Sequence, residues 1–202
     1  MNKINSQSDY ELWDTHWKNE NSITLVGKVI LREKQKKIKK ILKQKSISTA
    51  IDIGCGLGYS LDTLSKIGIS KIIGIDISNT AIDTCTKKGY TVFNRKLENE
   101  NGNYDLVFSD GLIEHFQDFT LYAQHLMRIS NKYVLLAQTD HDSIIVKILL
   151  FLENIFRKGE NIYEYPHKIR DFINFFQKEK FKLVANENVF FKGFKILLFE
   201  KN

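Results

Sequence analysis

Residues Ile51-Asp-Ile-Gly-Cys-Gly-Leu-Gly58 constrain this chain more than any other stretch. An apolar run of strand length passes directly into glycines at 54, 56 and 58, and a helix-forming run follows. Glycine at those positions allows positive φ and leaves bare main chain for close approach, while a helix that starts there offers unpaired amides. Strand, glycine turn and helix N-terminus in that order make a seat for a small molecule. Asp76, roughly twenty residues on, ends the next apolar run, Lys71-Ile-Ile-Gly-Ile-Asp76, where an open α/β sheet places a carboxylate for ribose hydroxyls.

The rest of the chain repeats that rhythm. A lysine-rich helix is expected from about Val29 to Gln44, then the strand Thr49–Ile53 and a helix with Leu61, Leu64 and Ile67 on one face. Ser78 is placed to cap a helix running to about Lys88. Strands are expected at Tyr90–Phe93, Tyr104–Ser109 and Lys132–Gln138, with a helix at Phe119–Ile129. Helices at Ile144–Phe156 and His167–Lys178 then lead to two strand-like runs, Phe181–Glu187 and Gly193–Phe199, close enough to pair antiparallel. The expected fold is α/β and Rossmann-like: a seven-stranded, mostly parallel sheet with helices on both faces and a C-terminal antiparallel strand.

Length and composition are consistent with one domain. At 202 residues, with 43% hydrophobic and 27% charged residues, the chain can bury a core and is neither disordered nor fibrous. We expect a single domain over 1–202, with a helical lid and basic helix at 1–45, a ligand-binding core at 46–140 and acceptor-side structure at 141–202. The net charge of +6 permits contact with nucleic acid or anionic lipid without requiring it. Cys55 and Cys85 are too few for a cysteine-based metal site, and no secretory signal precedes them, so no metal and a reducing cytoplasm are expected. Ile144–Phe156 is interrupted by Lys147, Glu153 and Asn154 and falls short of the ~20 apolar residues of a membrane span.

The ligand can be narrowed further. The dinucleotide pattern G-x-G-x-x-G would need glycine at 59, where Tyr59 stands, and gives no reason for Asp52 inside the strand. An acid two residues before the first glycine suits a ligand that carries an amino group and a sulfonium. With Asp52-x-Gly54-x-Gly56-x-Gly58, Gly74-Ile-Asp76 and Tyr104-Asp-Leu-Val-Phe-Ser-Asp-Gly-Leu-Ile-Glu-His-Phe116, the chain resembles the class I S-adenosylmethionine-dependent methyltransferases. Within them it is most similar to the small-acceptor enzymes of ubiquinone and menaquinone biosynthesis, from about Arg32 to the C-terminus.

That resemblance implies S-adenosyl-L-methionine as cofactor and S-adenosyl-L-homocysteine as product. It implies that Gly54, Cys55, Gly56 and Gly58 cradle the methionine and ribose, that Asp52 orients the loop or faces the amino group, and that Asp76 and Ile77 line the ribose side. Ser109 would lie beside the departing methyl, and Arg32 resembles an arginine that pairs with the methionine carboxylate in some relatives. The Gly-Asp-Ala segment that contacts adenine in many relatives is absent from Phe93-Asn-Arg-Lys-Leu-Glu98, leaving Leu97, the backbone near Lys96 and Asn94 as candidates.

Methyl transfer from a sulfonium is an in-line displacement that depends on positioning and dryness. His115 is either a base or acceptor contact, or a packing residue on a helix turn. His141 follows the fifth strand on the ligand side of the sheet. Trp13 and Trp17 either lid the site or anchor the N-terminal segment in the core. The Ile144–Phe156 helix builds an apolar acceptor pocket, a subunit contact or ordinary core. Lys28, Arg32, Lys34, Lys36, Lys37, Lys39, Lys40, Lys43 and Lys45 face a single acid, Glu33; without interleaved aromatics this stripe reads as a solvated helix face rather than an RNA surface. The expected partner is thus a small-molecule acceptor, with an apolar or aromatic one among the options, and nucleic acid is disfavoured. An RNA methyltransferase and a non-catalytic cofactor-binding regulator are the alternatives, and the sequence distinguishes neither monomer from dimer nor O, N, C or S as the attacking atom.

Overall fold

The computed structural model describes residues 6–19, 23–148 and 164–202. Its elements are α1 (Ser6–Asn19), α2 (Leu25–Leu42), β1 (Thr49–Ile53), α3 (Tyr59–Ser65), β2 (Lys71–Asp76), α4 (Asn79–Lys87), β3 (Thr91–Asn94), β4 (Tyr104–Asp110), α5 (Phe119–Arg128), β5 (Ser130–Thr139), α6 (Ile169–Lys178), β6 (Phe181–Val189) and β7 (Phe194–Lys201). Residues 144–148 are helical, and the rest of the helix expected over Ile144–Phe156 lies outside the described residues.

All seven strands join one sheet in the order β3-β2-β1-β4-β5-β7-β6. Neighbours from β3 through β5 pair in parallel, and β7 is antiparallel to both β5 and β6. Side chains alternate along the central strands: Ile51, Ile53, Val107, Val134, Leu136, Leu197 and Phe199 face one core, whereas Ala50, Leu106, Phe108, Leu135 and Leu198 face the other. A sheet covered on both faces needs apolar side chains on both, which is why these strands read as continuous hydrophobic runs. Leu126 of α5 with Phe172 and Phe176 of α6 fill the first face, and Ile38 and Leu42 of α2 with Leu64 of α3 fill the second.

Boundaries moved where hydrogen bonds decide them. Helix α2 starts at Leu25 rather than Val29 because the Thr24 hydroxyl accepts from the Gly27 N–H at 3.1 Å and caps the first turn. Strand β6 reaches Val189 and β5 reaches Thr139 because Phe194 of β7 pairs with each. Lysines of α2 and of the turn after it meet acids of the terminal hairpin and of α2 itself: Lys37 and Lys40 approach Glu187, Lys45 beyond the helix end approaches Glu200, and Lys37 also pairs with Glu33 at 3.2 Å. Among the described residues no helix is long and apolar enough to cross a membrane.

Phe176 is fully buried, stacked on Phe199 at 4.3 Å and edge-on to Phe181. Phe176→Ala should therefore destabilise the fold by about 3–5 kcal/mol, the range for emptying a buried aromatic site. The urea midpoint followed by circular dichroism checks this, and an unchanged midpoint would contradict the packing described.

Candidate cofactor and acceptor site

The strand order reverses beside β1, since the chain moves outward through β2 and β3 and then returns to add β4 and β5 on the other side. Such a switch point opens a crevice at the carboxyl ends of the strands. The glycine loop after β1 and Asp110 at the end of β4 both line the cavity there, which has a volume of roughly 1200 Å³.

The loop is held by main chain. Gly54 N–H and Cys55 N–H both donate to the Ile75 carbonyl, at 2.9 and 3.1 Å, and Gly58 N–H donates to the Cys55 carbonyl at 2.8 Å. Gly54, Gly56 and Gly58 have φ of 71°, 49° and 83°, a region that other residues enter only under strain. Space enforces the same choice. A Cβ on Gly56 would lie 2.7 Å from the Trp17 ring, and one on Gly58 would lie 2.9 Å from Cys85 Sγ.

Asp76 joins loop to strand. Its Oδ2 accepts from Gly56 N–H at 2.8 Å and its Oδ1 from Ser78 N–H at 2.9 Å. Burial raises its pKa against those two bonds. Asp52 is 1% exposed, and its Oδ2 has no hydrogen-bond partner among the described residues. Burial, reinforced by Asp110, Cys85 and Asp76, pushes this carboxyl well above the usual carboxylate range. Two buried acids thus flank a bare glycine loop: Asp76 lines the cavity, whereas Asp52, whose Oδ2 has no partner among the described residues, stands outside its lining. A ligand with cationic and hydroxyl groups fits that donor and acceptor set.

Of the other sequence candidates, Cys55, Ile77 and Leu97 line the cavity together with Gly54 and Gly56. Asn94 is exposed and donates instead to the Ile77 carbonyl and to Asn79 Oδ1. Ser109 is fully buried, its hydroxyl has no hydrogen-bond partner among the described residues, and it stands outside the cavity lining. Arg32 is exposed and likewise outside the lining, because the turn of α2 that faces the cavity carries Leu31 and Lys34. Lys34 Nζ lies 2.5 Å from Asp110 Oδ1, so α2 brings a cation to the cavity two residues beyond the arginine singled out by sequence.

The far half of the cavity is aromatic. Helix α1 packs on α4, where Asp14 Oδ1 accepts from the Ser78 hydroxyl at 2.5 Å and Thr80 N–H at 3.0 Å. That contact sets Trp13 and Trp17 against the opening: Trp13 stacks on Trp17 at 6.1 Å and meets the His115 ring edge-on at 5.1 Å. Phe116, Tyr122, Tyr165 and Phe194 complete this wall. His141 also lines the cavity, 3.6 Å from Glu164, with its pKa lowered by burial.

Glu114 was not singled out by sequence. It is 4% exposed and lines the cavity, and its Oε1 and Oε2 accept from the Thr139 hydroxyl and N–H at 3.1 and 3.3 Å. Burial and then the neighbouring Glu164 charge push it up to about 8. Its only signal in the sequence is an acid inside the run Leu112-Ile-Glu-His-Phe116, and nothing local shows that Thr139 and Glu164 converge on it.

Known proteins resemble this chain in sequence and in fold. A methyltransferase domain profile matches residues 28–190. The mitochondrial ubiquinone biosynthesis O-methyltransferase of Dictyostelium discoideum is 33% identical over 66 residues, covering 33% of this chain and 20% of that protein. Its counterpart in Methylococcus capsulatus is 33% identical over 79 residues, covering 34% of this chain and 33% of that protein, so the matches span a third or less of either relative. In fold, magnesium protoporphyrin IX methyltransferase of Synechocystis, solved with bound S-adenosylhomocysteine, superposes with a TM-score of 0.76 at 17% identity, covering 98% of this chain and 100% of that one. A match over residues 28–190, on a sheet with this strand order and a glycine loop at its switch point, places the chain in the methyltransferase domain family, whose members use S-adenosylmethionine.

Proposed function

We propose that this chain transfers a methyl group from S-adenosylmethionine to a small molecule held against its aromatic wall. The observation that carries this reading is the glycine loop between two buried acids, with an unpaired oxygen on Asp52. When bound, the cofactor supplies an electrophilic methyl on a sulfonium. Gly54–Gly58 lie under it, Asp76 accepts from the ribose hydroxyls through lone pairs left by Gly56 and Ser78, and Asp52 balances the ligand's positive charge. Ile77 and Leu97 flank the base. Lys34, held by Asp110, takes the place at the methionine carboxylate that the sequence suggested for Arg32.

The size of the cavity supports a second ligand. Drug-sized ligands occupy sites of ~300–1000 Å³, and roughly 1200 Å³ leaves room for an acceptor beside the nucleoside. Trp13, Trp17, His115 and His141 contact that acceptor, and aromatic faces favour an apolar or aromatic one. His115 and Glu114 are adjacent proton-handling groups on the same wall, suited to a hydroxyl or amine that must lose a proton on attack.

Labelled cofactor incubated with the protein and cell extract should place label in the small-molecule fraction; label confined to RNA or protein would contradict the reading. Asp76→Ala should weaken cofactor binding by about 1–3 kcal/mol, the range for losing a charged hydrogen-bonding partner. Asp76→Asn, whose one carbonyl oxygen can keep the Gly56 or the Ser78 contact but not both, should fall between it and wild type in the same calorimetric titration. The Glu114 shift has a sign that can be checked without an acceptor. Its folded pKa of about 8 lies above its ordinary 4.5, so the folded state holds the extra proton between those values. Its stabilising contribution is therefore complete below pH ~4.5 and is lost as pH rises toward 8. The thermal unfolding midpoint of wild type should fall as pH rises over that window, and Glu114→Gln should flatten the dependence; parallel pH profiles for the two proteins would contradict the assignment.

A further inference from the structure

Large apolar side chains stand in solvent on three segments that meet. At the turn between β6 and β7, Phe190, Phe191 and Lys192 have φ of 45°, 50° and 66°, the left-handed region that favours glycine, and Gly193 N–H closes the turn on the Phe190 carbonyl at 2.8 Å. Three such residues in succession are unfavourable and persist only where the surrounding fold fixes them. Phe191 is held 81% exposed at this tip, beside the exposed Lys192.

Two helical segments abut the turn. Phe190 N–H donates to Glu33 Oε2 of α2 at 2.9 Å, and Val29 and Val26 lie one and two turns before Glu33 along the same side of that helix. Both valines are exposed, as is Leu25 at 81%. A Cβ on Gly193 would lie 3.0 Å from Ile145 Cγ2, so the helical residues 144–148 pack on the turn as well, and there Ile144 is 76% exposed and Ile148, one turn on, is also exposed. Bases stand among these side chains: Lys28, Arg32 and Lys36 on α2 and Lys147 beside Ile148 are all exposed. The neighbouring acids are Glu33, engaged by Phe190 and Lys37, and Asp140 and Asp142 ahead of residues 144–148.

We propose that this face docks the chain on an anionic lipid bilayer, with Phe191, Leu25, Val29 and Ile144 entering the interface and the surrounding bases lying against the head groups. Apolar side chains that project singly between bases gain from the acyl boundary while the bases gain from the anionic surface, and no spanning helix is needed. A protein partner fits less well, because lysine is depleted from interfaces between proteins, and a second copy of this chain would set lysines against lysines. Duplex nucleic acid matches the charge but leaves Leu25, Val29 and Ile144 uncovered. The face borders the cavity: Gly27, Ile30, Leu31 and Lys34 on the inner side of α2 line it, as does Phe194 just past the turn. An apolar acceptor can then pass from lipid to the aromatic wall without crossing bulk water. That consequence rests on the proposed function, whereas the docking itself does not.

Sedimentation of the full chain with extruded vesicles of phosphatidylcholine, alone or mixed in equal parts with phosphatidylglycerol, tests the docking. The chain should pellet with the mixed vesicles far more than with phosphatidylcholine alone, and less as salt is raised. Phe191→Asp, Val29→Glu and Ile144→Asp should each weaken vesicle binding about tenfold or more, through loss of one buried apolar side chain and gain of a repelled charge. Aspartate tolerates the positive φ at 191 and all three sites are exposed, so the variants should keep the wild-type urea midpoint and S-adenosylmethionine affinity. No pelleting with the mixed vesicles, equal pelleting with both kinds, or variants that pellet like wild type overturns the inference. Gel filtration that shows a dimer separated by Phe191→Asp overturns it too, by assigning the face to a second copy. A chain that docks but binds no S-adenosylmethionine overturns the proposed function and leaves the docking in place.

Discussion

The hydrogen bond from Gly56 N–H to Asp76 Oδ2 ties together the features on which the site depends. It joins the loop after β1 to the end of β2, so a carboxylate that lines the cavity also fixes the main chain of the loop. The bond can form because Gly54, Gly56 and Gly58 take positive φ and turn the chain within a few residues. Parallel pairing of β1 with β2 places the two strand ends side by side. Asp76 Oδ1 then receives Ser78 N–H at the start of α4, and the Ser78 hydroxyl donates to Asp14 of α1. One carboxylate thus connects the loop, a helix start and the helix that covers the opening.

Buried acids dominate the electrostatics at the crevice. Asp52, Asp76 and Glu114 are all buried acids held above their ordinary pKa chiefly by desolvation. Exposed carboxylates elsewhere shift the other way: Asp118, bonded by Thr120, is lowered by its hydrogen bonds. Lys34 balances Asp110 at the cavity, leaving Asp52 with an unpaired oxygen. Burying an unpaired carboxylate is unfavourable unless it is protonated or a counter-charge arrives, and the sulfonium and ammonium groups of the proposed ligand would supply one.

The two halves of the cavity are built by different means. The half proposed for the cofactor is main chain and short loops at the end of the parallel sheet. The half proposed for the acceptor is made of side chains from α1, from the segment after β4, from the end of β5 and from residues 164–166. Parts drawn from separate elements can change acceptor preference without disturbing the sheet.

The sequence by itself determined the strands, their alternation with helices and the glycine seat, because those depend on local periodicity and on residues with restricted backbone options. Thr49–Ile53 and Lys71–Asp76 could be read to the residue for that reason, as could Ser78 at the start of α4. Tertiary structure alone decided which side chains from distant segments meet. Lys34 rather than Arg32 reaches the cavity because the position of α2 against the sheet sets which face turns inward. Glu114 is pushed toward its protonated form by burial and then by the Glu164 charge, against the Thr139 hydrogen bonds, and Cys55 packs beside Cys85, only once β1, α4, β4 and β5 fold around one crevice. Local sequence specifies backbone geometry, whereas pKa shifts and thiol pairs arise from desolvation and proximity that exist only once the chain has closed on itself.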